Sequence, residues 1–216
     1  MADVRPPSIY DANNTIAQFL EGTAAKQPSP GGGSVTALVG ALAAAMGAMV
    51  VNYSIGKKGL EAYEDELRPA LSELDRARQL LLELMVEDQN AYQALSATKK
   101  LPKDSPDYNA QFSAALLASI RTPEAIAATG VAILELCDRL INFVNYYLLS
   151  DLAVCADLAM ATVRCGIYNV RVNLSDVTDP ADRQKIEQTV GQMLSRAASL
   201  IQQVSPRIWD RQKQGS

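Results

Sequence analysis

Apolar residues recur along this chain at three- and four-residue steps, and no strict alternation lasts long enough to require a strand. In "NNTIAQFLEGTAA", Ile16, Phe19 and Leu20 share one face and Asn13 or Asn14 can cap, which predicts a short first helix. A loop with Pro28, Pro30 and Gly31, Gly32 and Gly33 separates it from a second helix, predicted from near Ser34 to about Tyr53 with Gly56 as the stop. The third pattern runs from Leu60 to Thr98, where Leu67, Leu71, Leu74, Leu81, Met85, Tyr92 and Leu95 repeat at helical spacing. Pro69 is expected to kink or split it. After the polar "TKKLPKDSPD", Ser105 with Pro106 and Thr122 with Pro123 give two successive start signals, for a fourth and a fifth helix. "INFVNYYLL" reads as a bend carrying Asn142 and Asn145. Ser150 and Asp151 open the sixth helix, and Asp179 and Pro180 a seventh that ends near Trp209. The expected fold is therefore all-α, a single domain over 1–216 of about seven helices with a long central helix.

The chain has 216 residues, enough to bury a core without disulfide staples, and is 48% hydrophobic but only 6% aromatic. Ala, Leu, Val and Ile thus supply the apolar surface, which suits packed helices. A net charge of -4 gives no general attraction to nucleic acid or anionic lipid. From Val35 to Val51 no residue is charged, and Lys57 and Lys58 follow, so a membrane span has to be weighed. The run is slightly short of the roughly 20 residues a span needs, and Ala and Gly make it weakly hydrophobic. A buried core helix is expected instead. Gly40, Ala44, Gly47 and Ala48 give it a smooth face for another helix, or for the same helix of a second subunit. The opening "MADVRPPSIYDANN" shows no secretory signal pattern. Cys137, Cys155 and Cys165 lie among apolar helical residues with no C-x-x-C spacing, and are expected to be reduced, buried thiols of a cytoplasmic protein.

The chain has no histidine, which removes Ser-His and Cys-His pairs and the commonest transition-metal ligand. Proton chemistry then falls to Asp, Glu, Lys, Tyr, Cys or the backbone. Gly31, Gly32, Gly33 and Ser34 at a helix start expose unpaired N–H groups, which either cradle an anionic ligand group or simply form a turn that lets helices approach. Asp88 falls on the stripe of Leu81, Leu84, Met85 and Tyr92, so a carboxylate points where leucines point. Burial would raise its pKa towards a general acid or base; a packing-network acid is the plainer reading. Asn169 and Asn173, one turn apart, and Asp151 are further polar residues in apolar helices. The paired amides either read the edge of a heterocycle or hold helices together. Lys57 and Lys58 can meet an acidic group or remain solvated.

"PSPGGGSVTALVGALAAAMGAMVVNYSIGKK", "EDQNAY", "LPKDSP", "SDLAVCADLA" and "GIYNVRVNL" resemble, in order and spacing, the cyclodeaminase domain of formiminotransferase-cyclodeaminase and its stand-alone bacterial relatives, the methenyltetrahydrofolate cyclohydrolases. The resemblance extends from about Thr15 to the last helix. It implies an all-helical homodimer that acts on a tetrahydrofolate derivative without a metal or tightly bound cofactor, with no nucleic-acid or membrane partner. It puts the family's acidic residue on Asp88 and its aromatic on Tyr92. Gly31 to Ser34, Lys57, Tyr92, Asp151, Asn169 and Asn173 are then the expected substrate contacts. Many relatives carry a second acid two positions before the first, where this chain has Val86. Hydrolysis of 5,10-methenyltetrahydrofolate to 10-formyltetrahydrofolate is the expected activity; formiminotetrahydrofolate cyclodeamination and a non-enzymatic folate-binding dimer are the alternatives.

Overall fold

The computed structural model describes residues 9–214; the first part of the segment read for a leader, 1–8, lies outside the described residues. Among the described residues there are six α-helices and no strand: α1 Ile16–Ala24, α2 Gly32–Asn52, α3 Glu64–Thr98, α4 Tyr108–Leu140, α5 Leu149–Asn173 and α6 Pro180–Gln214. Short 3-10 turns precede α3 and α5 and follow α5.

The count is six rather than seven because Pro123 does not start a helix; α4 runs straight through it. A proline inside a helix leaves the carbonyl four residues earlier without its donor. Here that carbonyl belongs to Ser119, and Asn173 Nδ2 donates to it at 2.9 Å from α5. The cost of the proline is met by a side chain from the next helix. Pro69 likewise leaves α3 unbroken. It sits in the second turn, where Asp65 and its freed carbonyl are at the exposed end of the helix and water can replace the donor.

On α1 the cap is Thr15, which forms a reciprocal capping box with Gln18. Its expected apolar face is not buried as a unit: Phe19 is, whereas Ile16 is 79% and Leu20 61% exposed. Gly22 explains the rotation, since any side chain there would strike the Tyr10 ring, which packs edge-on against Phe19 at 6.1 Å. Cys137 and Cys155 are buried free thiols with sulfurs 3.4 Å apart, but Cys165 is exposed on the outer side of α5, against expectation. Its hydrophobic neighbours in sequence lie on other faces of the helix.

The centre of the fold is a glycine seam. Gly33, Gly40 and Gly47 are seven residues apart on α2, and α3 runs antiparallel beside them, presenting Asp88, Leu81 and Leu74, also seven apart. α5 presents Asn169, Thr162 and Cys155 from the other side, again at sevens, to Gly32, Gly40 and Gly47. A Cβ on Gly40 would come within 2.9 Å of Thr162 and 3.0 Å of Leu81, and one on Gly47 within 3.0 Å of Leu74 and 3.1 Å of Cys155. The small-residue face of α2 is thus used inside the chain, with Ala44 and Ala48 also buried. Two helices, α2 and α4, are long and apolar enough to cross a membrane by length and composition, and 61% of each such window is buried within the fold.

Candidate functional site

At the N-terminal end of α2 the seam opens, and its last rungs are polar. Asp88 replaces leucine on the α3 side and Asn169 replaces threonine on the α5 side. A Cβ on Gly33 would overlap the Asp88 carboxylate, and one on Gly32 would lie 3.0 Å from Asn169 Oδ1. Gly31 has no such neighbour, and its extended backbone, φ -112° and ψ -165°, suits any residue. Two of the three glycines are therefore demanded by polar side chains that must approach the backbone.

Asp88 itself fills the anion site that the glycines create. Ser34 Oγ donates to its Oδ2 at 2.9 Å, and the Ser34 backbone N–H donates as well, both from the first turn of α2. Burial holds the carboxyl above the ordinary carboxylate range, and the two Ser34 hydrogen bonds pull it partway back. The result is a half-buried acid with an elevated pKa, held in one position by a helix end. Glu87, one residue earlier, is exposed.

These groups border a cavity of about 310 Å³ walled by the 28–33 loop and by α3, α4 and α5. Gly31, Gly32, Gly33, Asp88, Tyr92, Asn169 and Asn173 all line it, so the structure brings together most of the residues singled out in the sequence. Tyr92 stands half-exposed at the rim. Ser34 stands behind Asp88, and Asn173 spends its amide N–H groups on Ser119 O and Asn169 O, so its visible task is to hold α4 to α5. Asn169 Nδ2 donates to Cys165 O, leaving Oδ1 beside Gly32.

Lys57 and Asp151 are not brought there. They lie beyond the C-terminal end of α2 and at the first turn of α5, near where Ser54 Oγ accepts from the Asn145 N–H at 2.8 Å. That is the length of α2 away, about 30 Å. Lys57 instead lies 5.1 Å over the exposed Tyr147 ring.

Three contributors were missed by sequence reasoning. Ser29 lines the cavity, is 2% exposed, and its Oγ has no hydrogen-bond partner among the described residues. Gln89, fully buried, grips the segment before α1 by donating to Tyr10 O at 2.7 Å and accepting from Tyr10 N at 2.8 Å. Pro123 supplies wall and, through Asn173, cross-linking. Proline next to the loop serine and a glutamine beside the acid were visible, but their partners are distant in sequence. Larger hollows of about 670 Å³ along α3 and about 490 Å³ beside α6 have no orphaned hydroxyl among the described residues, and the buried acid of the second, Glu124, is already paired with Arg121 at 2.6 Å. The smaller cavity is therefore the candidate site.

Comparison with known proteins bears on which chemistry this is. Residues 15–192 match the model of the formiminotransferase-cyclodeaminase family. The chain belongs to that family. Among its relatives is a methenyltetrahydrofolate cyclohydrolase of Methylorubrum extorquens, 29% identical over 89% of this chain and 94% of its own length. The formimidoyltransferase-cyclodeaminase of Sus scrofa is 30% identical over 91% of this chain, which spans only 37% of that longer protein. The fold matches the crystal structure of a formiminotetrahydrofolate cyclodeaminase from Thermotoga maritima, with a TM-score of 0.85, 25% identity, and coverage of 92% of this chain and 97% of that one. The all-helical architecture inferred from periodicity is thus the family's architecture.

Proposed function

We propose that this chain is a methenyltetrahydrofolate cyclohydrolase, working as a cytoplasmic homodimer on a tetrahydrofolate derivative and needing no metal or bound cofactor. The observation that carries the reading is Asp88, a half-buried carboxyl fixed on the first turn of α2 at the wall of a cavity. The cyclohydrolase relative matched along almost its whole length supports it.

The methenyl bridge is a cationic amidinium, and an anionic carboxylate in a partly dehydrated site attracts it. Water adds to the bridge carbon while ionised Asp88 takes its proton, so cation and anion are neutralised together, a step favoured by a low-dielectric wall. Protonated Asp88 then delivers that proton to N5 as the C–N5 bond breaks, and the carbinol hydroxyl loses its own proton to solvent as the formyl carbonyl forms on N10. The balance is one water consumed and one proton released. Ser34 steadies Asp88 in both protonation states, because its hydroxyl can donate to a carboxylate or accept from a carboxylic acid. Asn169, Tyr92 and Ser29 surround the substrate ring, with Ser29 Oγ free to take a ring heteroatom.

Cyclodeamination of formiminotetrahydrofolate is the second reading, favoured by the structural neighbour from Thermotoga maritima. The same acid would there protonate departing ammonia. Absorbance loss from 5,10-methenyltetrahydrofolate supports the first reading, ammonia release from the formimino compound the second, and silence in both leaves a non-enzymatic binder.

A further inference from the structure

The cavity is one end of a groove. α3 and α5 both lie antiparallel to α2 along the glycine seam, so they run parallel to each other and continue past Gly32, where α2 starts. There α4 floors the gap between them: Ser119 Oγ donates to Ala91 O of α3 at 3.3 Å, and Ser119 O accepts from Asn173 Nδ2 of α5 at 2.9 Å. On α3 the cavity is lined by Asp88, Tyr92 and Leu95, at steps of four and three, and one turn further along the same stripe stands Lys99. On α5 it is lined by Asn169, Val172 and Asn173, and one turn on is Asp176. Lys99 Nζ donates to Asp176 Oδ2 at 2.6 Å, so an ion pair spans the two walls just beyond the last cavity residues. Both side chains are partly exposed, and such a pair contributes little to stability. Its visible effect is to aim an ammonium across the groove.

Along α3 the order of chemistry is an acid, an aromatic ring and then a cation. Tyr92 is 49% exposed and Val172, on the opposite wall, 69%, which leaves apolar surface uncovered between Asp88 and Lys99. A methenyl folate carries complementary groups in the same order: a cationic bridge, an aminobenzoyl ring and a glutamate with two carboxylates. From Asp88 to Lys99 the helix rises about 16 Å at 1.5 Å per residue. Bond lengths near 1.5 Å place the first glutamate carboxylate about 10 Å from N10, and a lysine stem reaches about 6 Å. Among the described residues lining the cavity no side chain is cationic, so the tail must find its counter-charge past the rim.

We propose that Lys99 binds the glutamate carboxylate of the substrate, with the aminobenzoyl ring lying between Tyr92 and Val172. The inference rests on the folate reading, and it makes Lys99 the residue that distinguishes a folate from the same ring system without its charged tail. Lys99 keeps Asp176 on one of its three N–H groups and turns the others to the incoming carboxylate. Asp176 then acts in two opposed ways. Its oxygen aims Lys99, and its negative charge repels the tail.

The test compares hydrolysis of 5,10-methenyltetrahydrofolate with that of its pteroyl butylamide analogue, in which an uncharged butyl group replaces glutamate. Wild type is expected to show a KM about tenfold higher for the analogue at unchanged kcat, in keeping with one lost charge-assisted contact. Lys99→Ala is expected to raise the folate KM by the same factor and to leave the analogue's KM where it was, so that the two losses do not add. Lys99→Arg restores most of the difference. Asp176→Asn keeps an acceptor for Lys99 but removes the repelling charge, and is expected to lower the folate KM about twofold. A bridge that only fastens α3 to α5 moves KM in the same direction in Lys99→Ala and Asp176→Asn, and that result overturns the proposal. Lys100→Ala, which removes the next, exposed charge, leaves both KM values unchanged. Equal KM for the two compounds in wild type, or an equal rise for both in Lys99→Ala, overturns the role of Lys99 and leaves the folate reading standing. A wild type inactive on both ends that reading and the proposal with it.

Discussion

The two ends of α2 are built from similar materials and come out differently. At the C-terminal end Ser54 is fully buried, donates to Val50 O at 2.7 Å and accepts from the Asn145 N–H at 2.8 Å, so both roles of its hydroxyl are used. At the N-terminal end a carboxyl is half-buried against glycine backbone, its pKa raised by burial, with an orphaned serine hydroxyl nearby. One end is satisfied and fastens helices together. The other retains uncompensated polarity beside an open cavity, which is the arrangement a reacting group needs and a structural group avoids.

Substitutions at the two ends separate these roles. The largest effect is expected from Asp88→Asn, which removes the proton carrier while keeping the shape: turnover of 5,10-methenyltetrahydrofolate should fall about 10³-fold, within the range assigned to general acid–base groups, with helix content intact. Absorbance decay measures it. Gly33→Ala should displace Asp88 and lower activity almost as far, with a stability loss of about 1–3 kcal/mol in urea, whereas Gly31→Ala should change stability by no more than about 0.5 kcal/mol. Equal effects at the two glycines would break the comparison. At the far end Ser54→Ala should destabilise by about 1–3 kcal/mol, because a buried N–H loses its acceptor, and leave kcat untouched.

The smallest effect is on stability against pH. The folded pKa of Asp88 is raised, so the fold favours its neutral form. That contribution is fully present below the unfolded value, about 3.9, and is lost as pH rises through the raised folded value. Asp88→Asn should therefore melt higher than wild type at neutral pH, with the gap narrowing as pH falls through the raised folded value and closed below about 4. Asp88→Asn melting lower than wild type at neutral pH, with the deficit vanishing towards acid, would mean that Asp88 is held as a stabilised carboxylate instead.

Much of this could be seen in the sequence. Asp88 shares a helical stripe with Leu81, Leu84, Met85 and Tyr92, so an acid standing where leucines stand is legible, and so is the glycine turn, though not that the two meet. What periodicity does not carry is pairing between helices. Pro123 looks like a helix start because local signals cannot show that Asn173, fifty residues later, will satisfy the carbonyl it frees. The glycine turn reads either as a cradle for a ligand anion or as a turn that lets helices approach, and the anion it meets is the protein's own Asp88 on α3. Lys57 and Asp151 share motifs with site residues but sit at the opposite end of antiparallel helices, a fact of topology and not of spacing. Gln89 gave no signal of its own, since its partner is the backbone of Tyr10.

The pH dependence of kcat/KM for methenyl hydrolysis, compared between wild type and Ser34→Ala, tests most directly that Asp88 is the group that moves the proton. Ionised Asp88 is the acceptor, so activity should rise with pH along a limb lying above the ordinary carboxylate range. Removing the Ser34 hydroxyl takes away a hydrogen bond that favours the charged form, so the limb should move to still higher pH. A limb that stays in place in Ser34→Ala would contradict the assignment.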